Sequence, residues 1–258
     1  MGMDVYVGPL RRYFARDWLT AAQQADAAAG LSVTATRAPA GRLAGRPADE
    51  STPSPAQVEE AVMAWQASLL ASLGRDDAWP EDPALPYWTD KPGWDGFGAL
   101  VLLAAYDECP ELRPAKRGLF RRAGTPDGPR HYASAPAVRE AAKNPRRYPS
   151  LLLGTEWWLP LPGAPSLFSG RLPTGQETVL STVEQLRTEL GTLATNLGLD
   201  AAGLASLRHA GPPLQAPRDE DQLAPAPDVD ALGRSGLAML SALAERAGHS
   251  HQPLVLDY

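Results

Sequence analysis

The chain of 258 residues has a single cysteine, Cys109, so no disulfide can form within it and no Cys/His array can close a structural zinc site. It has no long apolar run. The longest, 98–105, falls far short of the roughly 20 residues of a bilayer helix, which excludes a membrane span. It has no secretory signal: the first twelve residues place alternating apolar side chains ahead of Arg11 and Arg12, the reverse of a signal peptide, and the expected location is the cytoplasm. The usual catalytic fingerprints are missing as well. No Gly-x-x-x-x-Gly-Lys-Ser/Thr, Gly-x-Ser-x-Gly or His-Glu-x-x-His occurs, and the glycines of 93–98 lack Gly-x-Gly-x-x-Gly spacing, which disfavours a P-loop, an α/β-hydrolase triad and a zincin. No cofactor is expected. The chain is acidic, at −6, without helix-turn-helix, zinc-finger or aromatic RNA-binding signatures, so nucleic acid is not an expected partner.

What is present is the composition of an ordinary globular protein, 44% hydrophobic and 21% charged, with 26 prolines and 23 glycines that require much loop. The charge is segregated. Between Arg113 and Arg147 ten basic residues face two acids, a local balance of +8 that leaves −14 for the remainder. Arg117, Arg121, Arg122, Arg146 and Arg147 are therefore candidates for an anion-binding or partner surface, because clustered guanidinium groups hold carboxylates and phosphates bidentately. The competing reading is a solvated face, or one neutralised by acids of the same chain.

Asp4–Gly8 and Leu31–Thr36 alternate and are β-branched, which reads as two strands around an alanine-rich helix over 17–29, a β-α-β opening. Segments 38–53 and 211–228 are dense in breakers and are expected as exposed loops or linkers. Ser54 before Pro55 is an N-cap signal for a helix carrying Val58, Val62, Trp65, Leu69 and Leu73. Segment 76–95, with its tryptophans, acids and prolines, reads as irregular and feeds an apolar helix over 96–106 with Asp95 as N-cap. Helices are also predicted over 178–197 and 230–247, a bent strand or hairpin over 150–161, and a terminal strand over 252–258. The fold class is therefore α/β or α+β: residues 1–258 as one globular domain, with a single mixed β-sheet of about four to six strands, packed helices and two long Pro-rich loops.

Two constellations carry candidate chemistry. Trp88, Asp90, Trp94 and Asp95 place aromatic walls beside carboxylates, which suits a sugar, a base or a cationic group; the same rings would equally plug the end of the core. Glu156 beside Trp157 and Trp158 would have its carboxylate desolvated on a buried strand and act as an acid or base. The alternation of a strand would instead turn it outward or toward an arginine. His249 and His251 would share a side if extended, but the further ligands of a metal are not indicated, and none is expected. Cys109 follows Asp107 and Glu108, which oppose thiolate formation. Residues 10–14, after the first strand, would present Arg11, Arg12 and Tyr13 at a strand end, or form a turn anchored by Tyr13 and Phe14.

The sequence thus points first to a cytoplasmic interaction or inhibitory protein, such as an immunity-type partner of a toxin, working through charged surfaces with another protein as partner. The alternative is a small-molecule-binding enzyme, a hydrolase or transferase, using the Trp88–Asp95 loop with Glu156 and an anionic substrate.

Overall fold

The computed structural model describes residues 2–33, 53–114, 129–213 and 228–258. β1 (Asp4–Val7) leads into α1 (Leu10–Ala15) and α2 (Ala21–Ala28). After α3 (Pro55–Ser72), β2 (Trp88–Asp90) precedes α4 (Gly93–Glu108). The short α5 (Pro136–Ala141) and α6 (Pro149–Leu152) come before β3 (Trp157–Leu159), β4 (Leu167–Arg171) and β5 (Glu177–Thr182). Then α7 (Val183–Asn196), α8 (Ala201–Ala210) and α9 (Val229–Ser250) lead to β6 (Leu254–Asp257).

The strands form one mixed six-stranded sheet, ordered β2-β1-β6-β3-β5-β4, in which only β3 and β5 run parallel. Alternation sends side chains to two faces. Val5, Val7, Trp158, Leu254 and Leu256 join the core under α4, α7 and α9. Tyr6, Trp157, Leu159, Leu180 and Val255 face the other way, onto α1 and α3. The sheet is thus a middle layer buried on both sides, which is why β1 is buried along its whole length.

Several elements form as their residues dictate. Ser54 caps α3, its hydroxyl accepting a hydrogen bond from the Gln57 backbone amide at 3.3 Å while the Gln57 side-chain oxygen accepts one from the Ser54 amide at 2.9 Å, with Pro55 in the first turn. The tightest helix contact in the upper layer is between α4 and α9. A Cβ on Gly236 would come within 2.5 Å of the Gly96 carbonyl oxygen, and one on Gly233 within 2.5 Å of Leu103. Only glycine lets these backbones approach so closely.

The structure corrects other expectations. The opening is not β-α-β among the described residues. Residues 31–33 have no regular structure, Leu31 is 61% exposed, and the remainder of 31–36 lies outside the described residues. Both edges of β1 are already taken by antiparallel partners, which leaves no place for a parallel neighbour. Residues 10–14 form α1, with Tyr13 and Phe14 buried. Segment 76–95 contains a strand after all: β2 fits between Pro86 and Pro92, pairing Trp88 with Val7 and Asp90 with Val5. Residues 177–182 are strand rather than helix, in keeping with β-branched Thr178, Val179 and Thr182, and the Thr182 hydroxyl then caps α7 by accepting from the Gln185 amide at 3.0 Å. Residues 150–161 divide into α6 and β3. Asp95 lies inside the first turn of α4, which starts at Gly93 with Pro92 in the capping position. Apart from their ends, the breaker-rich segments 38–53 and 211–228 lie outside the described residues.

Candidate functional site

Asp95 stands apart in the first turn of α4, and the other aromatic and acidic candidates separate into three groups. Trp157 belongs to the lower core, 5% exposed, with ring centroids 6.2 Å from Phe14 and Trp65 and 6.0 Å from Tyr13, so it walls no opening.

Trp94 and Glu156 are brought together through a residue that the sequence reading did not include. The Trp94 ring lies 4.8 Å from that of Tyr258, and the Tyr258 hydroxyl donates a hydrogen bond to Glu156 Oε1. Burial, followed by this carboxylate, pushes the Tyr258 phenol well above its ordinary range. Tyr132 lies near the same carboxylate, on the α4 side of the sheet. Its ring meets Phe97 edge-on at 5.9 Å, and burial and then the Glu156 charge raise its phenol. Glu156 is half-buried just ahead of β3 and has a phenol as its neighbour, whereas a hydrolytic pair needs a facing carboxylate.

Trp88 and Asp90 form the third group, on the edge strand β2 beside the C-terminal ends of α8 and α9. The Arg246 guanidinium on α9 sits 5.6 Å from the Trp88 ring centroid. Arg208, in the last turn of α8, reaches to 3.8 Å from Asp90, whose other oxygen accepts the Lys91 amide at 2.9 Å. Burial and then the neighbouring Arg208 charge lower the Arg246 pKa, so two cations share this corner with one carboxylate. Neither arginine was singled out in the sequence. The available signal was Asp200 ahead of 201–210, an N-cap to an alanine-rich run ended by Gly211, which places Arg208 at a helix end. An open groove of about 670 Å³ between α8 and α9 adjoins the corner, lined by Leu204 and Ala205 of α8, by the buried Ala238 and by Ala242 of α9, with Arg208 and Glu245 among its polar residues.

Of the basic candidates, Arg117, Arg121 and Arg122 lie outside the described residues. Arg146 and Arg147 are placed against the acidic end of α4. Arg147 lies 2.6 Å from the Asp107 carboxylate and also donates to the Asp107 carbonyl. Glu108 accepts the backbone amides of Arg146, Arg147 and Tyr148. The same neighbourhood carries Glu111, Glu140 and Lys143 around a groove of about 580 Å³. Arg113 pairs with Asp230. Arg113, Lys143 and Arg147 are therefore paired with acids of their own chain, whereas Arg146 meets Glu108 through its backbone amide. Cys109 sits there too, its thiol pushed up by burial and then by Glu111, Glu140 and Glu108.

Among the described residues no group of three His, Cys, Asp or Glu could hold a metal ion, and His249 Nδ1 lies 2.7 Å from the Glu245 carbonyl. No described helix is long and apolar enough to cross a membrane. Compared with known proteins, the chain matches no protein-family model, no curated protein and no solved structure.

Proposed function

We propose that the protein is a cytoplasmic interaction protein that binds another protein through an open, charged helical surface, as a scaffold or an immunity-like inhibitor would. The observation that carries this reading is the α8/α9 groove, in which an alanine and leucine lining is accompanied by Arg208, His209 and Glu245. An apolar centre with a charged rim is the anatomy of a protein interface, and the breadth of the groove suits a side-chain row better than an enclosed metabolite. The candidate acids support the same reading, since Glu156 is engaged by Tyr258 and Asp90 by Arg208 and the Lys91 amide.

The test is affinity capture from a lysate of the source organism, comparing the wild type with a variant whose groove is filled by Ala205→Tyr and Ala242→Tyr. A protein retained in stoichiometric amount by the wild type and lost by the variant is the expected result. Retention indifferent to the filling, or a metabolite retained in place of a protein, would overturn the proposal.

A further inference from the structure

We propose that Arg208 and Arg246, set against Trp88 at the end of the α8/α9 groove, form a subsite for one carboxylate, supplied by an aspartate or glutamate side chain of the protein partner. The inference rests on the interaction reading above and names what that surface recognises. Arg246 is held on the Trp88 face at 5.6 Å, and among the described residues no carboxylate lies within ion-pair distance of it. Glu245, the adjacent acid on α9, is turned to Arg187, which donates to it at 3.0 and 2.8 Å. Asp90 reaches Arg208 only at 3.8 Å, while also accepting the Lys91 amide.

Two guanidinium groups and one carboxylate leave a single positive charge at a half-buried place. The carbonyls at the end of α8 account for a cation such as Arg208, which sits in the last turn. They do not account for a second guanidinium, Arg246, held on Trp88 two residues along β2 from the Asp90 that Arg208 approaches. Such an arrangement costs stability unless an anion completes it, and it is pre-formed because Trp88 restricts Arg246 to one side of the ring.

The charge count also selects the ligand class. A monoanion neutralises the corner, whereas a phosphate dianion would leave excess negative charge beside Asp90. Planar guanidinium forks match a carboxylate geometrically. An acidic side chain arriving here belongs to a segment whose apolar residues lie along the adjacent groove.

The experiment follows the Arg side-chain Nε–H and Trp indole N–H resonances of the full chain during titration with a hexaglutamate peptide, with hexaglutamine and inorganic phosphate as controls. Shifts at Arg208, Arg246 and Trp88 with hexaglutamate alone are expected, with affinity falling about tenfold in Arg246→Gln and falling also as salt rises to ~150 mM. Asp90→Asn removes the competing carboxylate and should tighten the peptide, a gain that misfolding cannot imitate. Phosphate binding as tightly as the peptide, or Arg246→Gln and Asp90→Asn both leaving affinity unchanged, would overturn the subsite. Repeating the lysate capture with Arg246→Gln separates the two proposals. A partner lost on filling the groove but retained in full by Arg246→Gln would remove the subsite and leave the interaction reading standing. A partner indifferent to the filling would remove the interaction reading itself.

Discussion

Two buried glutamates hold short helices by their first amides, one on each side of the sheet. Glu81, 5% exposed, accepts the Arg11 amide at the start of α1 at 3.0 Å and the Trp79 indole N–H at 2.6 Å. Glu189, fully buried, accepts the Ser150 and Leu151 amides of α6 at 2.8 and 3.1 Å, the Ser150 hydroxyl at 2.9 Å and the Gln185 amide group at 2.8 Å. The Trp158 indole in turn donates to the Ser150 hydroxyl at 3.0 Å. Burial raises both carboxyls against these hydrogen bonds, taking Glu81 from 4.5 to about 7. A folded-state pKa above the unfolded one favours the native state fully below pH 4.5, and the advantage is lost as pH rises through about 7. The shift corresponds to about 3 kcal/mol. Glu81→Gln should therefore gain stability on the wild type progressively between pH 5 and pH 8 in urea unfolding; a difference that stays flat across that range would contradict the assignment. Glu189→Ala removes four bonds at once and leaves buried amides unpaired, for an expected loss of about 3 kcal/mol, readable in the same titration.

At the scale of elements, the most decisive contact is the crossing of α4 and α9. Gly236→Ala forces a methyl to 2.5 Å from the Gly96 carbonyl oxygen and should cost about 1–3 kcal/mol or more. Gly191→Ala, on an exposed turn of α7 with nothing within 4 Å, should instead stabilise by up to ~1 kcal/mol through helix propensity. Thermal melts of the two variants moving in opposite directions are the check. The same scale explains what the sequence made legible. The α3 and α9 stripes and the β6 terminus were readable because periodicity and caps agree there with tertiary burial, and β1 because Val5, Tyr6 and Val7 favour a strand, although burial covers both of its faces. β2 was not, because three residues between prolines carry no period and owe their state to the Val5–Val7 edge. Residues 177–182 misled because Val179 and Val183 share a helical stripe by coincidence of spacing. The candidate site was half legible. Trp88, Asp90, Trp94 and Glu156 stood out by chemistry, whereas Arg208, Arg246 and Tyr258 come from segments more than a hundred residues away, and only the fold brings them near.

At the scale of the whole molecule, the sheet depends on its last strand. β6 lies third in the order, with β1 on one side and β3 on the other, and Leu254, Val255 and Leu256 are buried. A chain cut before Gln252 should lose cooperative unfolding, and a peptide of residues 252–258 added in excess should restore it; a truncated protein that melts as sharply as the full one would refute this dependence. During synthesis, the described strands that precede residue 254 form two separate ribbons, β2-β1 and β3-β5-β4, each ending in the unpaired edge that β6 will later fill. Those edges are templates for strands of other chains, so the interval before residues 254–257 emerge is when nascent copies of this protein are most exposed to aggregation and to chaperone capture.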